Sequence, residues 1–337
     1  MSTSMQSPSE MQSSQAIPQA SGEPCSPEPR RGERRGGLVK NAIIRTLLCF
    51  SRWYLRNPLL RLGKGLYWKK FCVPYLAWRD VELTCRTRGG IRMNLRLHEF
   101  IQNRLFFFGV WEPNITALFD SLLQPGDVAI DVGANIGYYT LLAAQKVGAD
   151  GHVYAVEPNP AVRSLLKRHL EMNGLDNVTI IAAAAWDATT TGTLHVHGYD
   201  CGASSLRNFD GSEAAAQVQL VRLDDVVRQE HRERIGLIKI DIEGAEAHAL
   251  RGLSAILAGN PRVRVIAEVN PMMLAAMGAS AEALFAFMAD LDFQAYLIPN
   301  SYKETAYFPP LRYELPRPVH PPLDGPSYVL FSRMKPW

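Results

Sequence analysis

From Val128 onward, short apolar strands alternate with amphipathic helical stretches, and this alternation constrains the fold more than any other feature. A strand buried on both faces reads as a continuous apolar run. Successive runs separated by helices pair as a parallel sheet with crossover helices packed on its faces. "VAIDVG" (128–133), "HVYAVEP" (152–158), "NVTIIAAAA" (177–185), "LIKIDIEG" (237–244) and "VRVIAEV" (263–269) read as successive strands. "FQAYLIP" (293–299) and "SYVLFSR" (327–333) close the sheet. Helices fall between them. Residues 136–147 place Ile136, Tyr139, Ala143 and Val147 on one face, and Pro160 opens a second helix with Val162, Leu165, Leu166 and Leu170 inward. A third runs from Glu246 to Leu257, and a fourth over 281–291 turns Leu284, Phe287, Met288 and Leu291 inward. Between 190 and 222 the pattern changes to "GTLHV" and "VQLVRL" around a polar loop, which reads as an inserted β-hairpin. The expected fold is a doubly wound α/β domain.

Ahead of this domain the chain differs. Residues 1–37 are rich in Ser, Pro, Gln and Gly and are expected to be a disordered tail, having too little apolar surface to offset the entropy of ordering. Residues 38–99 read as a basic amphipathic helical extension plus a short strand pair turning at Gly89-Gly90, and 100–337 as the main domain. Asn114 reads as the N-cap of a helix over Ile115–Leu123. Residues 1–75 hold 12 Lys/Arg and 4 Asp/Glu in a chain of net charge +3, leaving the remainder negative. Arg45, Arg52 and Arg56 fall on one helical face. Two readings stay open for 38–78: a helix lying peripherally in an anionic membrane surface, or a helix packed on the main domain with its arginines in water. The negative main domain lacks the basic footprint that nucleic acid demands. Five scattered cysteines, no apolar run of membrane-spanning length and no secretory leader point to a cytoplasmic protein, peripheral to a membrane on the first reading.

The first strand ends in Asp131-Val-Gly133-Ala-Asn135-Ile-Gly137, and the second in Glu157. Glycines there let the chain turn sharply into a helix and bring backbone close to a ligand. An acid at the second strand end can accept hydrogen bonds from ribose hydroxyls. Counting from Gly133, the second and third glycine slots of a dinucleotide fingerprint hold Asn135 and Tyr138, which argues against a nicotinamide enzyme. Asp131 adds a negative charge, unwelcome beside pyrophosphate but suited to the ammonium and sulfonium of S-adenosylmethionine. The fourth strand ends in Asp241-Ile-Glu243, two carboxylates on one side of an extended chain. One of them is expected to act as general base or acceptor anchor; otherwise one caps the next helix. Glu268 and Asn270 end the fifth strand and make an oxygen-rich set with Asp241. That set could hold Mg²⁺ or simply border the acceptor pocket; the expectation is no metal. His195, His197 and Tyr199 lie on the inserted hairpin, where the alternating histidines share one face; they read as a solvated pair or else as base or substrate contacts, and His248 reads as a surface or packing residue.

"DVGANIGYYTLLAA", "VYAVEPNP", "LDDV" and "LIKIDIEGAEAHALRG", taken in order, resemble the FkbM-type family of S-adenosylmethionine-dependent methyltransferases over about residues 100–335. The resemblance implies a seven-stranded, mostly parallel class I (Rossmann-like) sheet whose last strand is antiparallel. It implies that Asp131, Gly133, Asn135 and Gly137 line the methionine part of the cofactor, that Glu157 holds the ribose, and that Trp186 lies near adenine. "FGVWEP" (108–113) resembles the family's lead-in, with Glu112 facing the cofactor. The loop 202–208 resembles its small-residue loop, with Ser204 or Ser205 touching the acceptor. The activity so implied is O-methylation of a hydroxyl on a small molecule, sugar or glycolipid. Two rivals stand beside it: a membrane-recruited enzyme with a lipid-linked acceptor, and a cofactor-binding interaction module without catalysis.

Overall fold

The computed structural model describes residues 34–60, 62–197, 200–208 and 212–335. The tail expected over 1–37 lies outside the described residues as far as 33, as does Tyr199. The chain divides into two compact units, Met1–Arg45 and Thr46–Trp337. Helix Arg34–Arg56 begins in the first, and everything below concerns the second.

The chain stops being helical at Arg56, just before Asn57-Pro58, as a proline that restricts its predecessor dictates. Helix Lys64–Tyr67 then runs on as a π-helical segment, Trp68–Ala77, with Pro74 inside it. The expected strand pair is β1 (Glu82–Arg86) and β2 (Arg92–Arg96), antiparallel. Neither arginine nearest this pair stands in water. Arg52 donates to the carbonyl of Arg86, and Arg56 donates to the carbonyls of Arg86, Leu105, Phe106 and Phe107. The last three belong to helix Phe100–Phe108, whose C-terminal carbonyls have no partner within the helix. Asn114 does not cap the following helix. Helix Pro113–Leu122 starts at the proline, Glu112 occupies the cap position, and Asn114 donates instead to the carbonyls of Pro299 and Glu314.

The main strands are β3 (Val128–Val132), β4 (His152–Val156), β5 (Val178–Ile181), β6 (Ala184–Ala185), β7 (Thr190–His197), β8 (Asp200–Ser205), β9 (Ser212–Val221), β10 (Ile235–Ile240), β11 (Arg264–Val269), β12 (Gln294–Ile298), β13 (Arg317–Pro318) and β14 (Ser327–Ser332). Among the described residues the large sheet has eight strands, ordered β13-β12-β14-β11-β10-β3-β4-β5. Seven match the expected sheet, with β14 antiparallel between β11 and β12. The eighth, β13, is a two-residue edge strand pairing Pro318 with Tyr296. Proline, lacking an N–H, is tolerated at such an edge. Every residue of β3 and β10 is buried, because helices cover both faces.

The insertion is larger than a hairpin. The polar loop contributes its own strand, β8, and the result is a separate four-stranded sheet ordered β6-β9-β7-β8. "DCGASS" shows no alternation of apolar and polar residues, so only its pairing with β7 reveals it as a strand. The helix expected over 246–257 is two short ones, Glu246–Arg251 and Ser254–Gly259. Gly252 lies between them because a Cβ there would meet the carbonyl oxygen of Trp186 at 2.0 Å. The helix after β3 begins at Tyr138, leaving buried Ile136 in the turn.

Strand order reverses beside β3, where the chain runs outward to β4 and β5 and then returns to β10. A crevice opens at such a switch point, outside the C-terminal strand ends. Gly133 turns there at φ +82°, and a Cβ would meet the carbonyl oxygen of Asp241 at 2.0 Å. Buried His169 fastens the turn to the β1–β2 pair. Its Nδ1 pairs with the carbonyl of Ile136, while Nε2 accepts from the N–H of Asn94.

Candidate active site

The crevice is walled by the β3 turn, the ends of β4 and β10, β6, and residues 204–206 at the end of β8. It brings together Gly133, Asn135, Glu157, Ser204, Ser205, Asp241 and Glu243, all expected from the sequence. Glu157 is buried, and its two oxygens accept from the N–H groups of Asn135 (2.9 Å) and Asn159 (2.8 Å). Burial still pushes it up to about 7. Asn135 holds the left-handed φ of +50° that the turn requires. Ser204 Oγ accepts from Asn159 Nδ2 (3.1 Å), and Ser205 Oγ from the N–H of Arg207 (3.1 Å).

Behind this wall lies a charged network. Asp131 Oδ2 accepts from Thr140 Oγ1 (2.6 Å), while its buried Oδ1 has no hydrogen-bond partner among the described residues. Burial raises its carboxyl above the usual range, against the pull of Lys239. Glu112 is fully buried at φ +42°, its Oε1 accepting from Tyr302 (2.7 Å) and its Oε2 from Tyr139 (2.9 Å). Burial, with help from the charge of Asp241, pushes Glu112 up to about 7.

Lys239, buried in the middle of β10, donates to Asp241 Oδ2 at 2.8 Å and lies 4.6 Å from the centre of the Tyr139 ring. Burial alone would lower the lysine, but Asp241, Asp131 and Glu112 more than offset it and hold it charged. Asp241 Oδ2 also accepts from Tyr328 (2.9 Å), and Glu268 hydrogen-bonds the same carboxylate. Burial opposes ionisation of Asp241, yet Lys239 and these donors keep it below the usual carboxylate range. Glu268 goes the other way, pushed up to about 9 by burial and the neighbouring negative charges, so at neutral pH it is the proton donor of the pair. Asp241 leaves 24% of its side chain open, whereas Lys239 leaves 3%.

Other expected site residues serve elsewhere. Trp186 stacks on His248 at 3.7 Å, and Asp187 binds the His248 ring at 2.7 Å, so this group lies outside the cleft lining. Gly137 turns at φ +93°, and a Cβ there would strike Leu166 at 2.3 Å, which makes its smallness a packing requirement. Asn270 caps helix Pro271–Ala276 through Met273 N. The cap after β10 belongs to neither Asp241 nor Glu243. Glu246 Oε1 reaches back to the N–H groups of Ile242 and Gly244. Among the described residues no three His, Cys, Asp or Glu side chains converge to hold a metal ion.

Sequence reasoning passed over Lys239, Tyr139, Tyr302 and Tyr328. Lys239 had a signal, being the lone charge in an otherwise apolar core strand. Tyr302 and Tyr328 had none, since they arrive from the far end of the chain.

The site sits in a recognised sequence pattern. The methyltransferase FkbM domain matches residues 131–295. The 31-O-demethyl-FK506 methyltransferase FkbM of Streptomyces tacrolimicus is 31% identical over 176 residues, 44% of this chain and 67% of that protein. Methyltransferase 1 of Beauveria bassiana is 27% identical over 175 residues, 46% of this chain and 67% of that protein. A solved O-methyltransferase from Thermotoga maritima aligns with 74% of this chain and 76% of its own at 16% identity and a TM-score of 0.36. The domain match and the Streptomyces relative agree, and the chain belongs to the FkbM family of S-adenosylmethionine-dependent methyltransferases.

Proposed function

We propose that the chain transfers a methyl group to a hydroxyl oxygen of a small molecule, a sugar or a glycolipid. The cleft fits the cofactor on three observations. Asp131 offers a buried carboxylate oxygen with no partner among the described residues. Gly133 brings bare backbone to the cleft, where a Cβ would strike the Asp241 carbonyl. Carboxyl groups around the cleft outnumber Lys239, which suits a ligand bearing an ammonium and a sulfonium. When bound, S-adenosylmethionine supplies a methyl already activated on sulfur. Gly133 and Asn135 would hold its methionine part, Asp131 and Glu112 would balance its positive charge, and Glu157 has lone pairs left for ribose hydroxyls. The protein's remaining tasks are to align the acceptor and take its proton.

The hydrogen bonding of Asp241 divides those tasks. Lys239, Tyr328 and Glu268 all donate to it, which keeps it ionised and makes it a poor base. Its open edge is therefore the acceptor's anchor, accepting a hydrogen bond from the hydroxyl. Glu243 borders the same cleft two residues on, in a left-handed turn at φ +56°, and is the group that takes the hydroxyl proton. Ser204, Ser205 and Glu268 complete the acceptor's surroundings. The name of the Streptomyces relative, which specifies an oxygen, supports an alcohol acceptor.

Calorimetric titration with S-adenosylhomocysteine tests the cofactor half: wild type binds, and Asp131→Ala and Glu157→Ala lose binding while remaining folded. Turnover of methyl-labelled cofactor over a panel of alcohols tests the rest. Glu243→Gln lowers kcat by about a hundredfold or more with S-adenosylhomocysteine affinity retained, whereas Asp241→Asn acts chiefly on KM. Folded wild type that binds no S-adenosylhomocysteine would overturn the cofactor assignment, and full turnover by Glu243→Gln would remove it as the base.

A further inference from the structure

From Arg34 to Arg79 the chain carries eleven Lys/Arg and no Asp or Glu. A helical hairpin built for solvent alone has no reason to exclude one sign of charge so completely. Within the second unit, two helical segments, Thr46–Arg56 and Lys64–Ala77, share a run of rings. Trp53, Phe50, Tyr54, Tyr67, Phe71 and Tyr75 form an unbroken chain with successive centroids 5.0–6.3 Å apart. Core aromatic chains are covered, and this one is not. Phe50 is 51% exposed, Trp53 56% and Tyr75 59%, and beside them Leu62 and Leu66 are 89% and 67% exposed. Tyr54 ties Leu62 to the same face by donating to its carbonyl (2.6 Å).

The charges sort by task. Arg56 and Lys64 point inward and satisfy backbone carbonyls, Lys64 donating to those of Leu55 and Asn57. Lys69 and Lys70 stand exposed on the helix that bears Leu66 and Tyr75. Tryptophan and tyrosine favour the level of lipid headgroups, leucine and phenylalanine enter the acyl boundary, and lysine meets anionic headgroups.

We infer that this aromatic and leucine face, flanked by Lys69 and Lys70, is a docking surface for an anionic lipid membrane. No helix among the described residues is long and apolar enough to cross a bilayer, so the contact is one of lying on the surface. The docking helix connects directly to the cleft. Arg56, on the same helix as Phe50 and Trp53, holds the carbonyls of Leu105, Phe106 and Phe107, and Trp111 of the cleft wall follows four residues later.

The test is co-sedimentation of the full chain with vesicles of phosphatidylcholine alone, or of equal parts phosphatidylcholine and phosphatidylglycerol. The expected result is sedimentation with the anionic vesicles only, weakened by salt. Lys69→Gln with Lys70→Gln weakens it by about fivefold per charge. Trp53→Ser with Leu66→Ser weakens it by about tenfold or more. These positions are exposed, so the variants keep the wild-type melting temperature and S-adenosylhomocysteine affinity. Failure to sediment with anionic vesicles overturns the inference. So does sedimentation that the four substitutions leave unchanged, which would assign binding to the segment before Arg34. Light scattering that shows a wild-type dimer lost in Trp53→Ser Leu66→Ser would give the face to a second copy of the chain, and equally overturns it. None of these readouts depends on turnover.

Discussion

Lys239 shows how one side chain can organise a site. A buried ammonium costs several kcal/mol in desolvation, and it persists only where carboxylates repay that. Here Asp241, Asp131 and Glu112 do so, and in return the lysine keeps Asp241 ionised. Lys239→Met removes the cation but leaves the acids, and is expected to cost about 3–5 kcal/mol in urea denaturation. Adding Asp241→Asn should recover part of that loss. A double variant no more stable than Lys239→Met would show that the pair is not the source. Gly133→Ala tests the turn: its φ of +82° and the 2.0 Å approach to the Asp241 carbonyl leave a methyl no room. The variant should lose S-adenosylhomocysteine binding in calorimetry. Asp131, Glu157 and Asp241 were legible in the sequence because each lies at the end of an apolar strand, followed by a glycine-bearing turn after Asp131 and Asp241 and by Pro158-Asn159-Pro160 after Glu157. Lys239 showed only as the lone charge of an apolar strand, because nothing local tells a paired buried lysine from a strand's one exposed residue.

Helix Phe100–Phe108 is an element whose end is satisfied by another element. The N–H of Gly109 reaches only the Leu105 carbonyl among its final carbonyls, and Arg56 serves those of Leu105, Phe106 and Phe107 from 49 to 51 residues away in sequence. Burial pushes the guanidinium down to about 9, so Arg56 holds its proton at neutral pH. Arg56→Ala should destabilise the chain by about 1–3 kcal/mol, the cost of unsatisfied buried carbonyls. Amide exchange across 105–111 should quicken, as read by mass spectrometry, and unchanged exchange there would refute the coupling. Spacing alone placed Arg45, Arg52 and Arg56 on one helical face. It could not say that this face meets protein at Arg56, since a helix surface reads alike whichever side its partner lies on. The same blindness hid β8, whose small polar residues become a strand only through β7.

The whole molecule carries an acid excess at its centre, and its stability should report it. Glu112, Glu157 and Glu246 are each pushed from 4.5 up to about 7, mainly by burial. The folded protein therefore binds more protons than the unfolded chain between those values. The stability these groups contribute is fully present below about pH 4.5 and is lost as pH rises through about 7. Asp241, held low, works oppositely and matters only in stronger acid. The melting temperature of the ligand-free protein should fall as pH rises from about 5 to about 8. Over the same range the cationic S-adenosylmethionine should gain affinity relative to neutral S-adenosylhomocysteine. A ratio of affinities flat with pH would show that these acids do not face the sulfonium.

The division between chain and fold follows from the range of the forces involved. Alternating apolar runs, strand-end acids and the Gly133–Gly137 turn are local patterns, so the parallel sheet, its switch point and the family could be read along the chain. The partners of those acids could not. Tyr139, Lys239, Tyr302 and Tyr328 converge on Glu112 and Asp241 from four separate elements. Burial, which shifts their protonation, exists only once the layers close. The docking face has the same origin: residues 34–79 declare their charge in sequence, but which of their side chains stay outside was settled by what packed against the others.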